Sequence, residues 1–211
     1  MRTRTVLYLL RHGATEANLA TPARLQGQRQ NPPLAPLGVR QAEATRDFLA
    51  VRPFDHCYSS PLLRAVQTAT LIAAPHGVTP EPLPGLIECD VGLWEGLDWG
   101  TIRSRDPEHY HRFMANPAEH GYPGGESFAD AHRRAVETLE PLWEVHPGQT
   151  LLVVGHHIVT RTYLAGVLGL GPDQARRVIL GNCGISIVVR EEDKTTVATL
   201  NAAFHLQGIA A

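Results

Sequence analysis

An apolar run that ends in a basic pair constrains this chain more than any other feature. The run from Val6 to Leu10 is short and rich in strand-forming residues, which is typical of a strand buried on both faces. Arg11 and His12 follow it directly, and Gly13 lets the backbone turn sharply and approach a ligand. Open α/β sheets bind their ligands at the carboxyl ends of the strands. The sequence therefore predicts a ligand site at Arg11 and His12.

A second apolar run, from Leu151 to Gly155, also ends in histidines, His156 and His157. Helical patterns alternate with the strand patterns, over about residues 38–50, 62–74, 128–145 and 158–168. This alternation predicts an α/β fold, a three-layer α/β/α sandwich with a mainly parallel central sheet. Because parallel strands end at the same edge of a sheet, we expect His12 and His156 to lie close together.

Length and composition fit one folded domain over residues 1–211. A chain of 211 residues with 43% hydrophobic and 19% charged residues is typical of a globular protein with one large core. Prolines and glycines break residues 78–125 into short pieces, and aromatic residues give this excursion apolar bulk. It is interpreted either as a cap over the ligand site or as a packed structural insertion, and the sequence alone does not choose.

Charge and cysteine usage argue against several classes of partner. The net charge of −2 provides no strong field for nucleic acid or for an anionic membrane. The three cysteines lie far apart without a Cys-x-x-Cys motif, so neither a disulfide framework nor a zinc ribbon is indicated. The first apolar stretch is short and interrupted by Arg11, which is unlike a signal peptide. We therefore expect a cytoplasmic protein that binds neither nucleic acid nor membrane.

The basic residues near the two strand ends fit a phosphate group. Ser60 and Pro61 have the preferences of an N-cap and of a first helical residue, and Arg64 would then lie in the first turn of that helix. The basic side chains predicted to converge on a phosphate dianion are Arg11, His12, Arg64 and His156. His12 is the better candidate for a nucleophile because it lies within the tight turn, and His156 would donate to a phosphoryl oxygen.

The leaving group of a phosphate ester needs a proton, and three carboxylates of the excursion are candidates. They are Glu88, Asp90 and Glu95. Glu88 directly follows an apolar pair, so it can be held firmly, and burial beside a phosphate would favour its protonated form. The alternative for Glu88 is a loop carboxylate paired with an arginine. Spacing alone leaves this choice open.

Motifs of several other enzyme classes are absent from the chain. It contains no Gly-x-x-x-x-Gly-Lys-Ser/Thr, no His-Glu-x-x-His and no Cys-x-x-x-x-x-Arg. The Gly-x-Ser-x-Gly pattern of serine hydrolases fails because Ala129 stands at its second glycine. The spacing of the histidines does not indicate a metal site. We therefore expect neither a metal nor an organic cofactor.

Short motifs occur in a distinctive order along the chain. Leu-Arg-His-Gly-Ala-Thr-Glu-Ala-Asn occupies residues 10–18, Gln-Gly 26–27 and Ser-Ser-Pro-Leu 59–62, and the later motifs lie at 88–96, 124–127 and 153–156. Together they closely resemble the histidine phosphatase superfamily, also called phosphoglycerate mutase-like. The resemblance covers nearly the whole chain, and it implies a three-layer α/β/α fold.

The resemblance also implies roles for individual residues. It implies a phosphohistidine intermediate on His12 and makes Glu88 the proton donor, and later the base for the attacking water. It implies that no metal is needed. The phosphate pocket that it implies consists of Arg11, Arg64 and His156, with a contribution from Asn18.

Departures from the family pattern affect the expected substrate. We predict that Gln26, Gly27 and His157 bind substrate, although the loop after Gly27 is one residue longer than usual and His157 replaces a small residue. The chain resembles the phosphatase branch, in particular metal-independent phosphoserine phosphatases and broad-specificity phosphatases. The phosphoserine group has a histidine that contacts the substrate carboxylate where this chain has Val91. That difference weakens a phosphoserine assignment.

These observations predict a metal-independent phosphomonoesterase that hydrolyses a small phosphorylated metabolite through a phosphohistidine intermediate. One alternative is a phosphoglycerate mutase that depends on 2,3-bisphosphoglycerate. The short excursion argues against it, because such mutases carry a longer insertion there. The other alternative is a non-catalytic phosphate-binding module. The sequence leaves open whether the chain forms a homodimer.

Overall fold

The central sheet of the computed structural model, which describes residues 4–209, has six strands. These are β1 (Arg4–Arg11), β2 (His56–Ser59), β3 (Pro80–Pro82), β4 (Thr150–Gly155), β5 (Ile185–Glu191) and β6 (Lys194–Ala202). They lie in the order β3-β2-β4-β1-β5-β6. The first four in that order run parallel to one another, whereas β5 is antiparallel to both β1 and β6. The predicted α/β class with a mainly parallel sheet is confirmed.

Helices cover both faces of this sheet. The α-helices are α1 (Glu16–Leu19), α2 (Pro36–Leu49), α3 (Leu63–Ala73), α4 (Trp99–Arg105), α5 (Pro107–Ala115), α6 (Phe128–Val145) and α7 (His157–Val167). Side chains alternate between the two faces of a strand. Leu7 and Leu9 of β1 accordingly join one buried core with α6 and α7, and Leu10 joins the other with α2 and α3. The result is the predicted three-layer sandwich.

The register of the central strands brings the two histidine segments side by side. Arg11 is the partner of Gly155 in the parallel pair of β1 and β4, so both strands end at the same level. The backbone N–H of His12 donates to the carbonyl oxygen of Gly155 at 3.1 Å. His12 and His156 therefore leave the sheet next to each other.

The segment before α3 differs from the sequence-based prediction. The helix begins at Leu63 with Leu62 as its N-cap, so Ser60 and Pro61 lie outside it. The prediction of Ser60 as the N-cap was wrong, because its hydroxyl is bound to His156 from β4 instead. Arg64 still falls in the first turn of the helix, as expected.

The excursion over residues 78–125 has two parts. Its first part contributes β3, which pairs with β2 at the edge of the sheet. The later part carries α4 and α5, whose side chains Trp99, Tyr110 and Phe113 line the cavity above His12. That part lies over the site, and its rings also pack on Trp94 and Tyr122. The boundaries of a single domain over residues 1–211 stay a prediction, since residues 1–3 and 210–211 lie outside the described part.

Between residues 4 and 209, no helix combines the length and the hydropathy that crossing a membrane would require.

Candidate active site

His12 lies at the base of the site in a defined orientation. The residue is only 3% exposed. Its Nδ1–H donates to the carbonyl oxygen of Gly13 at 2.7 Å, because a carbonyl oxygen can only accept. The other ring nitrogen, Nε2, therefore keeps its lone pair, and it accepts a hydrogen bond from Arg64 Nε at 3.3 Å. This tautomer leaves Nε2 as the nucleophilic atom.

Two glycines allow the turn after β1 to rest on α2. A Cβ atom on Gly13 would lie 2.5 Å from the carbonyl oxygen of Gly38, and a side chain on Gly38 would overlap the backbone of Ala14. Gln41 of α2 also accepts a hydrogen bond from the Ala14 N–H at 2.9 Å. This close backbone contact fixes the loop that carries His12.

Arg64 and Arg11 are both held by backbone carbonyls. The fully buried Arg64 donates from Nη2 to Gly27 at 2.9 Å and from Nη1 to Gln30 at 3.3 Å. Arg11 donates from Nη1 to Leu180 at 3.1 Å, while its Nε is buried without a hydrogen-bond partner in the described residues. The two guanidinium groups thus have fixed positions on either side of His12.

His156 is positioned by a residue from another strand end. The His156 ring is fully buried, and its centroid lies 5.1 Å from that of His12. Its Nε2 is hydrogen bonded to Ser60 Oγ at 2.7 Å. Its Nδ1 is buried and has no partner among residues 4–209. Nδ1 is therefore a hydrogen-bonding position that no described residue fills, although His156 lies behind the cavity lining of that part of the chain.

Glu88 occupies the amino terminus of α7. Its carboxylate accepts hydrogen bonds from the N–H groups of Cys89 at 2.8 Å, Ile158 at 3.1 Å and Val159 at 3.2 Å. The first turn of a helix offers free N–H groups and a favourable dipole to a carboxylate. Glu88 is 3% exposed and lines the cavity above His12. Backbone N–H groups therefore hold the Glu88 carboxylate, and not an arginine as in the alternative that the sequence left open.

The other two candidate carboxylates serve the surrounding loops. Asp90 Oδ1 accepts from the Gly92 N–H at 2.9 Å and lies 3.4 Å from Arg29 Nε. Glu95 Oε1 accepts from the Gly27 N–H at 2.8 Å. Among the described residues, neither Asp90 nor Glu95 lines the cavity. Of the three candidate carboxylates, Glu88 is therefore the one that reaches the cavity within the described residues.

The predicted substrate-binding residues divide into two groups. Asn18 and Gln26 line the cavity, and both are fixed through their side-chain oxygens by Thr15. Gln26 Nε2 is buried without a partner in the described chain. Gly27 does not line the cavity in the described residues. Its carbonyl oxygen accepts a hydrogen bond from Arg64, so Gly27 positions Arg64. His157, the first residue of α7, lines the cavity.

Burial and like charges keep both imidazoles neutral. Burial, and then the charges of Arg11 and Arg64, lower the pKa of His12 well below its usual value. Burial, and then the charge of Arg64, do the same to the pKa of His156. Burial also lowers the pKa of Arg11, to about 10, so that this guanidinium remains charged at neutral pH. The site therefore combines fixed positive charge with an unprotonated nucleophile.

Two residues of the site were missed by reasoning from the sequence. Asn182 Nδ2 donates to the carbonyl oxygen of His12 at 2.9 Å and to Asn18 Oδ1 at 3.3 Å. It lies in a loop before β5 and outside every motif, so no sequence signal pointed to it. Ser60 was noticed, but only as a helix cap. The motif that contains it is the signal that could have linked it to His156.

The described residues, 4–209, contain no group of three or more His, Cys, Asp or Glu side chains that is placed to hold a metal ion.

Comparisons with known proteins find relatives along almost the whole chain. Phosphoserine phosphatase 1 from Hydrogenobacter thermophilus is 30% identical over 200 residues, which cover 95% of this chain and 93% of that protein. A probable phosphoglycerate mutase GpmB from Yersinia pestis is 34% identical over 187 residues, which cover 88% and 85%. The solved structure of YhfR from Bacillus stearothermophilus has a TM-score of 0.89 at 28% identity, and the match covers 96% of this chain and 100% of that chain.

A family model places the whole site within one superfamily. The model of the histidine phosphatase superfamily (branch 1) matches residues 7–203. This span includes every residue of the site described above. The chain therefore belongs to the histidine phosphatase superfamily, branch 1, and is a phosphoric monoester hydrolase.

Proposed function

We propose that this protein hydrolyses a small phosphorylated metabolite without a metal, through a phosphohistidine intermediate on His12. Two buried donors without partners, Arg11 Nε and Gln26 Nε2, belong to residues that line the cavity and carry the proposal. The unpartnered His156 Nδ1 belongs to the ring beside His12. Buried donors are almost always hydrogen bonded, so donors left free beside a nucleophile indicate a ligand with several acceptor oxygens. A phosphoryl group supplies those oxygens. The named phosphatase among the relatives supports the same class of substrate.

In the first step, His12 Nε2 attacks the phosphorus atom. Binding of the phosphate dianion beside Glu88 favours the protonated form of this carboxyl group, so Glu88 starts the step with a proton. As the bond between phosphorus and the leaving oxygen breaks, that oxygen takes the proton from Glu88. Arg11, Arg64 and His156 stabilise the negative charge on the phosphoryl oxygens during transfer. The products of this step are the free alcohol and a phosphoryl group on Nε2, with the Nδ1–H still held by the Gly13 carbonyl oxygen.

In the second step, water attacks the phosphohistidine. Glu88, now ionised, accepts a proton from that water, the nitrogen–phosphorus bond breaks, and inorganic phosphate leaves. The electron pair of the broken bond returns to Nε2, so His12 and Glu88 regain their initial states. Rigid placement of Glu88 at the start of α7 suits it to both proton transfers.

A release assay for inorganic phosphate tests the proposal. We expect the wild-type protein to release phosphate from some members of a panel of phosphorylated metabolites with EDTA present. The same reactions are monitored for conversion of 3- to 2-phosphoglycerate with 2,3-bisphosphoglycerate added. Loss of activity on chelation, restored by a divalent ion, would contradict metal independence. Efficient mutase turnover with negligible phosphate release would favour the mutase, and binding of phosphate without turnover would favour a binding module. A cytoplasmic location and a homodimer stay predictions.

A further inference from the structure

The cavity above His12 carries more positive charge than a single phosphate group needs. Its volume is about 620 Å³, and four arginines line it, whereas the only carboxylate in its described lining is Glu88. Arg11 belongs to the phosphate end. Arg24 is exposed, so water screens its charge. Arg161 and Arg176 remain, and both are half-buried.

Neither of these two arginines has a carboxylate partner among the described residues, although each is anchored by backbone. Arg161 donates from Nε and Nη2 to the carbonyl oxygen of Val178, at 3.0 and 2.7 Å. Arg176 donates from Nη1 to Met114 at 2.9 Å and from Nη2 to Phe113 at 3.2 Å. Arg161 Nη1 and Arg176 Nε have no acceptor in residues 4–209. Each guanidinium is thus held in place by backbone groups without an ion pair, and Glu88 is the carboxylate of the described lining whose charge acts on Arg161.

The two charges lie beyond the phosphate end of the cavity. His157 and Arg161 both line it and are separated by one turn of α7, about 5.4 Å along the helix axis. Arg176 is close enough to Arg161 for its charge to affect the pKa of Arg161. His12, His157, Arg161 and Arg176 line one cavity, so a leaving group that extends past His157 would meet the two arginines.

Tyr122 adds a third donor next to both arginines. It lines the cavity together with both arginines, and its ring centroid lies 4.5 Å from that of Phe113, over which Arg176 is placed. Burial raises the pKa of Tyr122 well above its usual value, so its hydroxyl keeps its proton. Its presence completes a set of cationic and neutral donors that is suited to anionic oxygen atoms.

The rest of this part of the cavity is apolar and aromatic. The rings that line it belong to Trp99, Tyr110, Phe113, Tyr122 and Phe128. Cavities of about 300–1,000 Å³ hold organic ligands of drug-like size. A cavity of this volume, lined by rings, suits a leaving group that is larger than a three-carbon acid.

We propose that Arg161, Arg176 and Tyr122 form a subsite for a second anionic group, a carboxylate or phosphate, on an aromatic or otherwise apolar leaving group of the substrate. This inference rests on the proposed function, because it names the class of phosphomonoester that the same site accepts. The substrate then has two anionic ends: the phosphate that is transferred to His12, and an anionic group that stays with the leaving group.

Arg176 also has a structural role, and the test must separate this role from binding of an anionic group. Its contacts with the carbonyl oxygens of Phe113 and Met114 satisfy the last turn of α5, and its guanidinium lies 4.8 Å from the ring centroid of Phe113. A purely structural arginine would affect charged and neutral substrates alike. A binding arginine would affect the preference between them.

Three aryl phosphates provide the comparison. They are 4-(carboxymethyl)phenyl phosphate, its neutral methyl ester, and the analogue that carries a phosphonomethyl group. We expect kcat/KM of the wild-type protein to be about 10-fold to 100-fold higher for one or both anionic compounds than for the ester, as charge-assisted hydrogen bonds allow. The two anionic compounds distinguish a carboxylate from a phosphate-like group.

Substitutions then assign the preference to the subsite. In Arg176→Met we expect the ratio of kcat/KM between the preferred anionic compound and the ester to fall about tenfold, and in Arg176→Lys to recover in part. Arg177→Met is the matched control, because the neighbouring Arg177 is exposed, contacts Gln174 and lies outside the described cavity lining. Its ratio should equal that of the wild-type protein. If Arg176→Met does not fold, Arg161→Lys and the wild-type ratio decide, because loss of the planar fork at Arg161 should lower the ratio severalfold even though the charge is kept.

The outcomes separate this inference from the proposed function. Release of phosphate from all three compounds at similar kcat/KM by the wild-type protein would overturn the subsite and leave the phosphatase function intact. A wild-type preference that Arg176→Met and Arg161→Lys both retain would also overturn it. If the wild-type protein releases no phosphate from any compound, calorimetric titration of the three compounds still measures the preference. Tighter binding of an anionic compound than of the ester would support the subsite even then, and equal affinities would refute it.

Discussion

The phosphate end and the outer half of the cavity are built on different principles. At the phosphate end, His12, Arg64, His156 and Glu88 are at most 3% exposed, and each is fixed by a side chain or backbone group from another element. The outer half is formed in part by α4 and α5, and there Trp99 is 40% exposed and Met114 is 43% exposed. The first region is rigid and polar, and the second is aromatic and partly open to solvent.

This difference separates chemistry from selection of the substrate. Groups that must align with a reacting phosphorus atom need fixed positions, and burial within the sheet edge and helix termini provides them. In the proposed reaction the outer segment would contact only the leaving group, which does not need such accuracy. We therefore expect changes at the phosphate end to lower kcat and changes in the outer half to raise KM.

The largest effect is expected for His12→Ala. Loss of a covalent nucleophile removes a factor of about 10⁴–10⁶ from kcat in comparable enzymes. Phosphate release should fall by that order, while circular dichroism and the melting temperature stay close to the wild-type values. His111→Ala, at an exposed position on α5, is the matched control and should retain full activity. Substantial turnover by a folded His12→Ala protein would mean that water attacks the ester directly.

The next largest effect is expected for Glu88→Gln, and its size should depend on the leaving group. General acid catalysis contributes about 10²–10⁴-fold for an alkoxide leaving group. p-Nitrophenolate is stable as an anion and needs less help, so the burst rate of phosphorylation should fall much further for an alkyl phosphate. The burst is measured rather than steady-state turnover, since water activation in the second step suffers with both substrates. Equal losses of burst rate would remove Glu88 from the acid role.

Ser60→Ala should produce a moderate loss. The substitution leaves the buried His156 Nε2 without its partner at 2.7 Å and frees the ring to rotate. We expect kcat to fall about tenfold with little change in KM, as for the loss of a buried hydrogen bond. Ser104→Ala, on the exposed side of α4, provides the control. A rise in KM with unchanged kcat would place Ser60 in substrate binding instead.

The pH dependence of kcat/KM should show no loss at the usual pKa of histidine. Because burial and neighbouring arginines lower the pKa of His12, its neutral form persists when the pH falls below 6.5. A histidine with a pKa of about 6.5 would be roughly nine-tenths protonated at pH 5.5. We expect kcat/KM for an aryl phosphate, corrected for ionisation of the substrate, to fall less than about twofold between pH 7 and 5.5. If kcat/KM instead titrates near pH 6.5, and this titration remains when each of the other histidines is replaced, the titrating group is His12. That result would contradict its lowered pKa.

The same shift has a consequence for stability. The unfolded chain binds protons at His12 and His156 near pH 6.5, whereas the folded chain binds them only at lower pH. The free energy of unfolding contributed by these residues is therefore fully present above pH 6.5, and it declines as the pH falls below that value.

The smallest effect is expected in the outer half, from Trp99→Ala. Removal of one aromatic contact typically costs about a two- to tenfold factor, so KM for aryl phosphates should rise by that amount with kcat nearly unchanged. Inhibition by inorganic phosphate should not change, because phosphate does not reach the ring. Leu93→Ala, an exposed position of the same excursion, serves as the control. A loss of kcat in Trp99→Ala would show that the two halves of the cavity are coupled.

Local sequence patterns were sufficient for the fold class and for the convergence of the basic residues. The strands before His12 and His156 are short, apolar and bounded by polar residues. This pattern involves only residues that are close in the chain, so it can be recognised in the sequence. Parallel pairing then brings both histidines to one edge. The family resemblance, rather than spacing, singled out Glu88. The error at Ser60 arose because its role as a helix cap was predicted from neighbouring residues, whereas its hydrogen-bond partner, His156, is 96 residues away in the chain.

The sequence by itself thus determined that the basic residues of two strand ends and one helix start lie close together, since strand ends and helix starts are local features. Only the tertiary structure decided what each residue does there. The Gly13 carbonyl oxygen sets the tautomer of His12, the carbonyl oxygens of Gly27 and Gln30 fix Arg64, and the amino terminus of α7 holds Glu88. Apart from the first, these contacts join segments that are distant in the chain. Their geometry depends on the packing of whole layers, which no local pattern contains.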